Sequence, residues 1–146
     1  MRIRVKDMGF GYTQSVPILK NIDLDISGNK LVSIIGPNGV GKSTFIHCIN
    51  KILKPTSGTV EVNDRDVEGY TLKELSKIIG YVPCSSSDTF PLSVVDAVLL
   101  GRSPHSKWGS LDEDLAKVHK VLQLLDIEEL AMRPFNEISA GQHQKV

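Results

Sequence analysis

The first third of the chain contains two patterns of apolar residues. Residues 18–26 predict a strand with one face in solvent, because isoleucine and leucine alternate with aspartate over residues 22–26. Residues 3–5 predict a strand before it. Residues 31–35 are apolar with little alternation, as in a strand that is covered on both faces. The chain is therefore predicted to begin with an antiparallel layer and to continue into a buried, parallel one.

The next residues indicate a helix and then a return to extended structure. Residues 45–49 predict a helix that ends before Pro55, and residues 59–62 predict an extended segment. Asn63 and Asp64 form a turn signal. This succession of strand, helix and strand is typical of an α/β protein.

A second short helix is predicted by the spacing of Thr71 and Glu74, which is that of a capping box. The helix should run to about Lys77. Residues 78–82 then return to a strand pattern.

Helical signals dominate the following part of the chain. Ser93 is predicted to cap a helix over residues 94–100 with Asp96 at its third position, and Ser110 to cap a longer helix with Glu113 as its partner. The apolar face of the longer helix is predicted to be Leu111, Leu115, Val118, Leu122 and Leu125.

These signals divide the chain into two predicted regions. Residues 85–135 form a helical insertion, and we expect a nucleotide-binding core with its antiparallel layer over 1–84 and a helical subdomain over 85–146. No internal repeat is present in the sequence.

Composition narrows the class of protein. The 146 residues are 40% hydrophobic, and lysine plus arginine equal aspartate plus glutamate at 17 each, so no general basic field favours nucleic acid as a partner. The apolar runs are strand-sized, so we expect a cytoplasmic protein that does not insert into the membrane. Cys48 and Cys84 are expected to be reduced thiols.

The strongest chemical signal is the stretch Gly-Pro-Asn-Gly-Val-Gly-Lys-Ser-Thr at residues 36–44. It meets the phosphate-loop template Gly-x-x-x-x-Gly-Lys-[Ser/Thr] at every fixed position, and it lies between a predicted strand and a predicted helix. Gly36, Gly39 and Gly41 are expected to adopt positive φ, so that backbone N–H groups converge on phosphate oxygens. The loop predicts binding of a nucleoside triphosphate.

Two side chains of this loop carry predicted roles of their own. Lys42 should place its charge on the β- and γ-phosphates, and Ser43 should offer its hydroxyl to Mg²⁺, a hard cation that also takes phosphate oxygens. The alternative, a glycine turn with an incidental lysine, does not explain why all of these features coincide.

A second stretch suited to an anion lies at residues 138–146. Ser139 is a candidate N-cap with Gln142 in the reciprocal position, so a helix should begin here with free N–H groups and a flexible Ala-Gly step. By itself this pattern would predict only a capped helix.

With both motifs present, the chain resembles the ATP-binding subunit of an ATP-binding-cassette (ABC) transporter over nearly its whole length. Ser139-Ala140-Gly141-Gln142 is similar to the signature motif of that family, and residues 80–83 are similar to those before its glutamine loop. Residues 96–105 look like those of importers for iron–siderophore, haem or vitamin B12. His105, within that stretch, is expected to be solvated rather than to bind a metal.

The resemblance implies an α/β fold: a P-loop NTPase (RecA-like) core with an N-terminal antiparallel β layer and an inserted helical subdomain, truncated after the start of the signature helix. It implies ATP and Mg²⁺ as cofactors, transmembrane permease subunits and a second ATP-binding subunit in a head-to-tail dimer as partners, and a location on the inner face of the cell membrane. The implied nucleotide-binding residues are Tyr12, Gly36, Asn38, Gly39, Gly41, Lys42, Ser43, Thr44, Ser139, Gly141 and Gln142. Among these, Tyr12 would stack on adenine, and the signature residues would contact the γ-phosphate bound by the second subunit.

Three positions depart from the family pattern. Cys84 occupies the place of the glutamine that contacts Mg²⁺ and water, and a thiol is a poor ligand for this cation. Ala140 replaces a glycine, and His143 replaces an arginine near the start of the helix. The thiol at position 84 is expected to weaken coupling between nucleotide state and the membrane partner.

The sequence stops at Val146, before the family's strand with the Mg²⁺-organising aspartate and catalytic glutamate, and before its later histidine. No catalytic residue is therefore expected in this chain, and autonomous hydrolysis is not expected. Asp126 follows a leucine-rich stretch but is interpreted as a helix-end or turn residue. Without neighbours for residues 31–35, the isolated chain is expected to be marginally stable or to pair with another copy or a longer partner.

Several functions compete at this stage. The first is the ATPase subunit of a membrane importer, in which hydrolysis by the complete protein drives transport. The second is a truncated nucleotide-binding or regulatory module without turnover. A soluble cassette ATPase of repair or translation is disfavoured by the balanced charge, and a simple P-loop GTPase or kinase does not explain residues 139–142.

Overall fold

The computed structural model describes residues 1–13, 15–82, 92–106 and 110–146. The chain separates into two compact units, Met1–Ile79 and Gly80–Val146. The strands and the phosphate-loop sequence belong to the first unit, whereas the residues that resemble a signature motif belong to the second.

The first unit is built on an antiparallel sheet. Its strands are β1 (Arg2–Phe10), β2 (Leu19–Ser27), β3 (Ser57–Val62) and β4 (Arg65–Asp66), in the order β2-β1-β3-β4. Val5 of the central strand β1 pairs with Leu24 on one side and Val60 on the other, and its side chain is buried. The predicted antiparallel layer is confirmed, and the aspartates of β2 point to solvent as their alternation predicts.

One face of the sheet shares a hydrophobic core with helix α1 (Lys42–Ile49). Phe45, Cys48 and Ile49 of the helix are buried in the same cluster as Val5 and Met8 of β1. The thiol of Cys48 is fully buried, and this burial raises its pKa. The core therefore fixes the helix that begins inside the predicted phosphate loop.

The local signals of this unit behave as predicted. Asn63 and Asp64 adopt positive φ in the turn between β3 and β4. Thr71 and Glu74 form the predicted capping box at the start of α2 (Leu72–Leu75), although this helix ends before Lys77. A short 3₁₀ helix, Val67–Gly69, lies between β4 and α2.

Two predicted strands do not form. Residues 31–35 have no strand structure, and Leu31 and Ile35 are 98% and 92% exposed, so the prediction of a buried strand is wrong for this structure. Residues 78–82 are not a strand either. At their start, the N–H groups of Ile78 and Ile79 both bond to the carbonyl of Leu75, at 2.9 Å. A strand requires a hydrogen-bonded neighbour, and the described residues place none beside either segment.

The second unit is helical. Its elements are α3 (Val94–Leu100), α4 (Leu111–Leu124), the 3₁₀ helices Glu128–Leu130 and Phe135–Glu137, and α5 (Ala140–His143). Val94, Val118 and Leu122 are almost fully buried in its core together with Ile127 and Leu130. The side chain of Ser93 caps α3 as predicted, by accepting a hydrogen bond from the N–H of Asp96 at 3.2 Å.

The start of α4 differs from its prediction. Ser110 precedes the helix but makes no side-chain capping bond, so the predicted pairing with Glu113 is wrong. The Ser110 hydroxyl instead donates to a carboxylate oxygen of Asp114 at 3.1 Å.

The predicted apolar face of α4 is confirmed only in part. Val118 and Leu122 are buried, but Leu111 is 59% exposed, and the acidic residue Asp114 lies on the buried face. Asp126 has a φ of 54° just beyond the helix, as expected of a turn residue. No helix of the described ranges is both long and apolar enough to cross a membrane.

Candidate functional site: an anion-binding loop

The candidate anion-binding loop, residues 36–41, lies directly before α1 and has two glycines in the left-handed region. Gly39 has a φ of 82° and Gly41 a φ of 100°, which side chains rarely adopt. A Cβ at Gly41 would also lie 2.9 Å from side-chain atoms of Ile18 and Leu19. Gly36 is not among the positive-φ glycines, so the expectation that all three share this conformation is wrong for Gly36.

The N-terminus of α1 is uncapped by the protein itself. Gly41 is its N-cap, no side chain bonds to the first turn, and that turn contains no acidic residue. By contrast, α2, α3 and α5 each have a serine or threonine cap, and α4 has three acidic residues in its first turn. Among the α-helices that the structure describes, α1 therefore has the N-terminus best suited to an external anion.

Lys42 brings a full positive charge to this loop. Its Nζ atom donates to the carbonyl oxygens of Gly36 at 2.8 Å and Pro37 at 2.7 Å, so the side chain folds back over the start of the loop. Residues 36–40 are exposed to solvent, and so is Ser43, whereas Thr44 is buried. The ammonium and the helix N-terminus thus converge on one solvent-accessible loop.

The hydrogen-bond donors of this loop are well suited to bind a chain of phosphates, whereas the loop offers few ligands for Mg²⁺. Backbone N–H groups and an ammonium are donors that phosphate oxygens accept, and the loop leaves backbone close to solvent because Asn38, Gly39 and Val40 are exposed. For the cation, Ser43 offers one exposed hydroxyl oxygen, which suits an ion that is held mainly by phosphate and water. Within the described ranges, no group of three His, Cys, Asp or Glu residues could hold a metal by itself.

Tyr12 lies in the connection between β1 and β2. Tyr12 is 64% exposed, and its ring packs edge-on against the ring of Phe10 at a centroid distance of 5.1 Å. The N–H of Ile18 bonds to the carbonyl of Phe10 at 2.7 Å, and Ile18 is one of the residues against which Gly41 is packed. This connection therefore lies beside the end of the anion-binding loop, with an exposed aromatic ring.

The residues that resemble a signature motif form a separate feature in the second unit. Ser139 accepts from the N–H of Gln142 at 3.3 Å, and the Gln142 side chain accepts from the N–H of Ser139 at 2.9 Å, so the predicted capping box is present. Ser139 and Gly141 are exposed, whereas Ile138, the residue before the motif, is buried. The ring centroids of His143 and Phe135 are 4.3 Å apart.

Cys84, the predicted glutamine-loop position, lies outside the described residues. The burial of the acidic residue Asp114 was not predicted. The sequence indicates it, because Asp114 precedes Val118 and Leu122 at helical spacing and so lies on the apolar face of α4.

Comparisons with known proteins find relatives along the whole chain. Residues 19–146 match the ABC transporter family. An uncharacterized ABC transporter ATP-binding protein of Methanocaldococcus jannaschii is 46% identical over 146 residues, which are 100% of this chain and 57% of the relative. The high-affinity zinc uptake system ATP-binding protein ZnuC of Bacillus subtilis is 38% identical, over 99% of this chain and 62% of its own length. The chain thus spans about three fifths of these two relatives.

Other relatives are named for different cargoes. They are a probable iron chelatin transport protein of Helicobacter pylori (32% identical), and import proteins for hemin in Streptomyces coelicolor (31%), cobalamin in Halobacterium salinarum (34%) and phosphonates in Nitratidesulfovibrio vulgaris (35%). These alignments cover 88% to 100% of this chain and 32% to 58% of the relatives.

Solved structures share the fold. An inward-facing metal-chelate type ABC transporter aligns with 98% of this chain and 52% of its own, at a TM-score of 0.76 and 30% identity. The ATP-binding cassette MJ0796, solved as a post-hydrolysis dimer with ADP and phosphate, aligns with 98% of this chain and 66% of its own, at a TM-score of 0.79 and 27% identity. The predicted P-loop NTPase fold class is confirmed.

Proposed function

This chain belongs to the ABC transporter family, and from that premise we propose that it binds Mg·ATP as the ATPase part of a membrane importer. The observation that carries the proposal is the uncapped N-terminus of α1 with the Lys42 ammonium folded over its loop. Helix N–H groups and an ammonium both donate hydrogen bonds to the phosphate oxygens of a nucleoside triphosphate.

Each predicted site residue has a place in this proposal. Residues 36–44 hold the phosphates, with Lys42 on the β- and γ-phosphates and Ser43 on Mg²⁺, which when bound neutralises phosphate charge. Gly39 and Gly41 keep the backbone open to the nucleotide, and Tyr12 stacks on adenine. The exposure of Tyr12 and of residues 36–40 supports these roles.

Ser139, Gly141 and Gln142 are proposed to serve the nucleotide of a second ATP-binding subunit in a head-to-tail dimer. These residues lie at the start of α5, and the exposure of that helix start supports this role. The dimeric form of the MJ0796 cassette supports it as well. The remaining partners are permease subunits, with the chain on the inner face of the membrane and without nucleic acid. In the complete protein, ATP hydrolysis is coupled to transport.

For the cargo we propose an iron–siderophore, haem or cobalamin. Residues 96–105 support this class, as do the relatives named for iron chelatin, hemin and cobalamin. Uptake of these compounds and of zinc should be compared in cells with and without the gene for this chain. Loss of zinc uptake alone would contradict the cargo class and leave the nucleotide site unaffected.

The nucleotide site is tested by titrating the full chain with Mg·ATP. A charge-assisted hydrogen bond contributes about 1.5–3 kcal/mol, so Lys42→Ala should weaken binding by about 10- to 150-fold. The lower end is expected, because Lys42 exchanges two loop hydrogen bonds for those to phosphate.

Lys54→Ala is the matched control. Lys54 is an exposed lysine of the same unit whose ammonium pairs with Glu68 at 3.6 Å. Its substitution should leave ATP affinity unchanged, and equal affinity of the wild type and Lys42→Ala would refute the proposed phosphate site. Phosphate release by the pure chain would argue against the alternative, a nucleotide-binding module without turnover.

A further inference from the structure

A buried carboxylate joins two parts of the helical unit. Asp114, in the first turn of α4, is only 2% exposed. One oxygen accepts from Nε of Arg102 at 2.9 Å, and the other accepts from the hydroxyl of Ser106 at 2.5 Å and from that of Ser110 at 3.1 Å. Three donors therefore surround one charge.

These partners explain why an acid can occupy the apolar face of α4. Burying a charge is costly unless it is paired and hydrogen-bonded. Hydrogen bonds from Ser106 and Arg102 lower the pKa of Asp114 to about 2, so the carboxylate is ionised at neutral pH. The charge is compensated within the unit.

The donors lie on the segment that follows α3. Residues 101–105 form successive turns, and the N–H groups of His105 and Ser106 bond to the carbonyl of Arg102. These bonds order the segment internally but do not attach it to α4. Among the described side chains, those of Arg102 and Ser106 make this attachment through Asp114.

A cavity of about 550 Å³ lies at this junction. Leu99, Leu100 and Ser103 line it from α3 and the following segment, and Leu111 and Asp114 line it from α4. The distance between these two walls depends on the contacts that join them. Asp114 contributes to one wall and also bonds to Arg102 and Ser106, which flank Ser103 in the other. The α3 part of that wall packs against α4 through the apolar core.

We propose that the carboxylate of Asp114 anchors residues 101–106 to the first turn of α4 and thereby sets the width of this cavity where Ser103 lines it. The anchored segment includes the end of the importer-like stretch 96–105, so its geometry depends on a residue outside that stretch. This role does not depend on nucleotide binding by the other unit.

Hydrogen exchange of the full chain tests the anchor. Asp114→Asn should accelerate exchange of amides in residues 101–106 by about tenfold, because it removes the charge that Arg102 pairs with. Residues of β1 and β2 should exchange as in the wild type. Asp112→Asn is the matched control, since Asp112 lies in the same turn and is exposed, and it should leave residues 101–106 unchanged.

A double-mutant cycle distinguishes the anchor from general damage to the unit. Arg102→Gln leaves the carboxylate buried without its cation and should accelerate exchange more than Asp114→Asn does. Adding Asp114→Asn to Arg102→Gln removes that orphaned charge, so the double variant should exchange more slowly than Arg102→Gln alone. Additive effects of the two substitutions, or equal effects of Asp112→Asn and Asp114→Asn, would overturn the proposal.

Discussion

Substituting the three loop glycines one at a time should separate the contributions that shape the anion-binding loop. Gly36 is outside the left-handed region, and a Cβ there would contact only a side-chain methyl of exposed Val40, at 3.2 Å. Alanine at position 36 reduces the freedom of the unfolded chain, so Gly36→Ala should be neutral or stabilising by up to about 1 kcal/mol.

Gly39 and Gly41 should respond differently from Gly36 and from each other. A left-handed residue with a Cβ costs roughly 1–2 kcal/mol, and at Gly39 no neighbouring atom lies within 4 Å of the added Cβ. Part of that cost is offset in the unfolded state, so Gly39→Ala should destabilise by about 1 kcal/mol. At Gly41 the contacts of 2.9 Å with Ile18 and Leu19 add overpacking of about 1–3 kcal/mol, so the total loss should be about 2–4 kcal/mol.

Urea unfolding of the nucleotide-free chain measures these differences, and hydrogen exchange at the start of α1 locates them. The expected order of stability is Gly36→Ala, then Gly39→Ala, then Gly41→Ala as the least stable. If Gly36→Ala lost as much stability as Gly41→Ala, the described backbone of the loop would be wrong. A neutral Gly41→Ala would refute the packing of the loop against β2.

Two further predictions concern the first unit. Stacking on a base contributes about 1–3 kcal/mol, so Tyr12→Ala should weaken Mg·ATP binding by about 5- to 150-fold. Tyr12→Phe should bind Mg·ATP as the wild type does. Equal affinities of the two variants would contradict a stacking role. Hydrogen bonding from Arg2 lowers the pKa of Asp25 from 3.8 to about 2. The stabilisation from ionised Asp25 is therefore complete above pH 3.8 and is lost as the pH falls towards 2. In acid unfolding, the free energy of unfolding of Asp25→Asn should decline less over this interval than that of the wild type. An equal decline would show that the Arg2–Asp25 pair does not contribute to the pH dependence of stability.

Features encoded by neighbouring residues were predictable from the sequence. The capping boxes at Thr71 and Ser139 depend on groups three residues apart, and the turn at Asn63 depends on residues that tolerate positive φ. The alternation in β2 also gave the correct solvent face. In each case the atoms that decide the structure lie within a few positions of one another.

Features that depend on distant partners were not predictable in the same way. Residues 31–35 have the composition of a buried strand, but strand structure requires hydrogen bonds from another segment. Asp114 became buried because Arg102 and Ser106, from the preceding segment, compensate its charge. The sequence places an acid on an apolar face without showing which residues will neutralise it.

The anion-binding loop keeps its geometry although the segment before it forms no strand. Its shape is set by the positive φ of Gly39 and Gly41, by the packing of Gly41 against Ile18 and Leu19, and by burial of α1 in the core with β1. None of these contacts uses residues 31–35, whose exposed side chains lie outside the core. The loop is therefore held from its helical end, which is why its two positive-φ glycines and the uncapped start of α1 can coexist with an unpaired segment immediately before them.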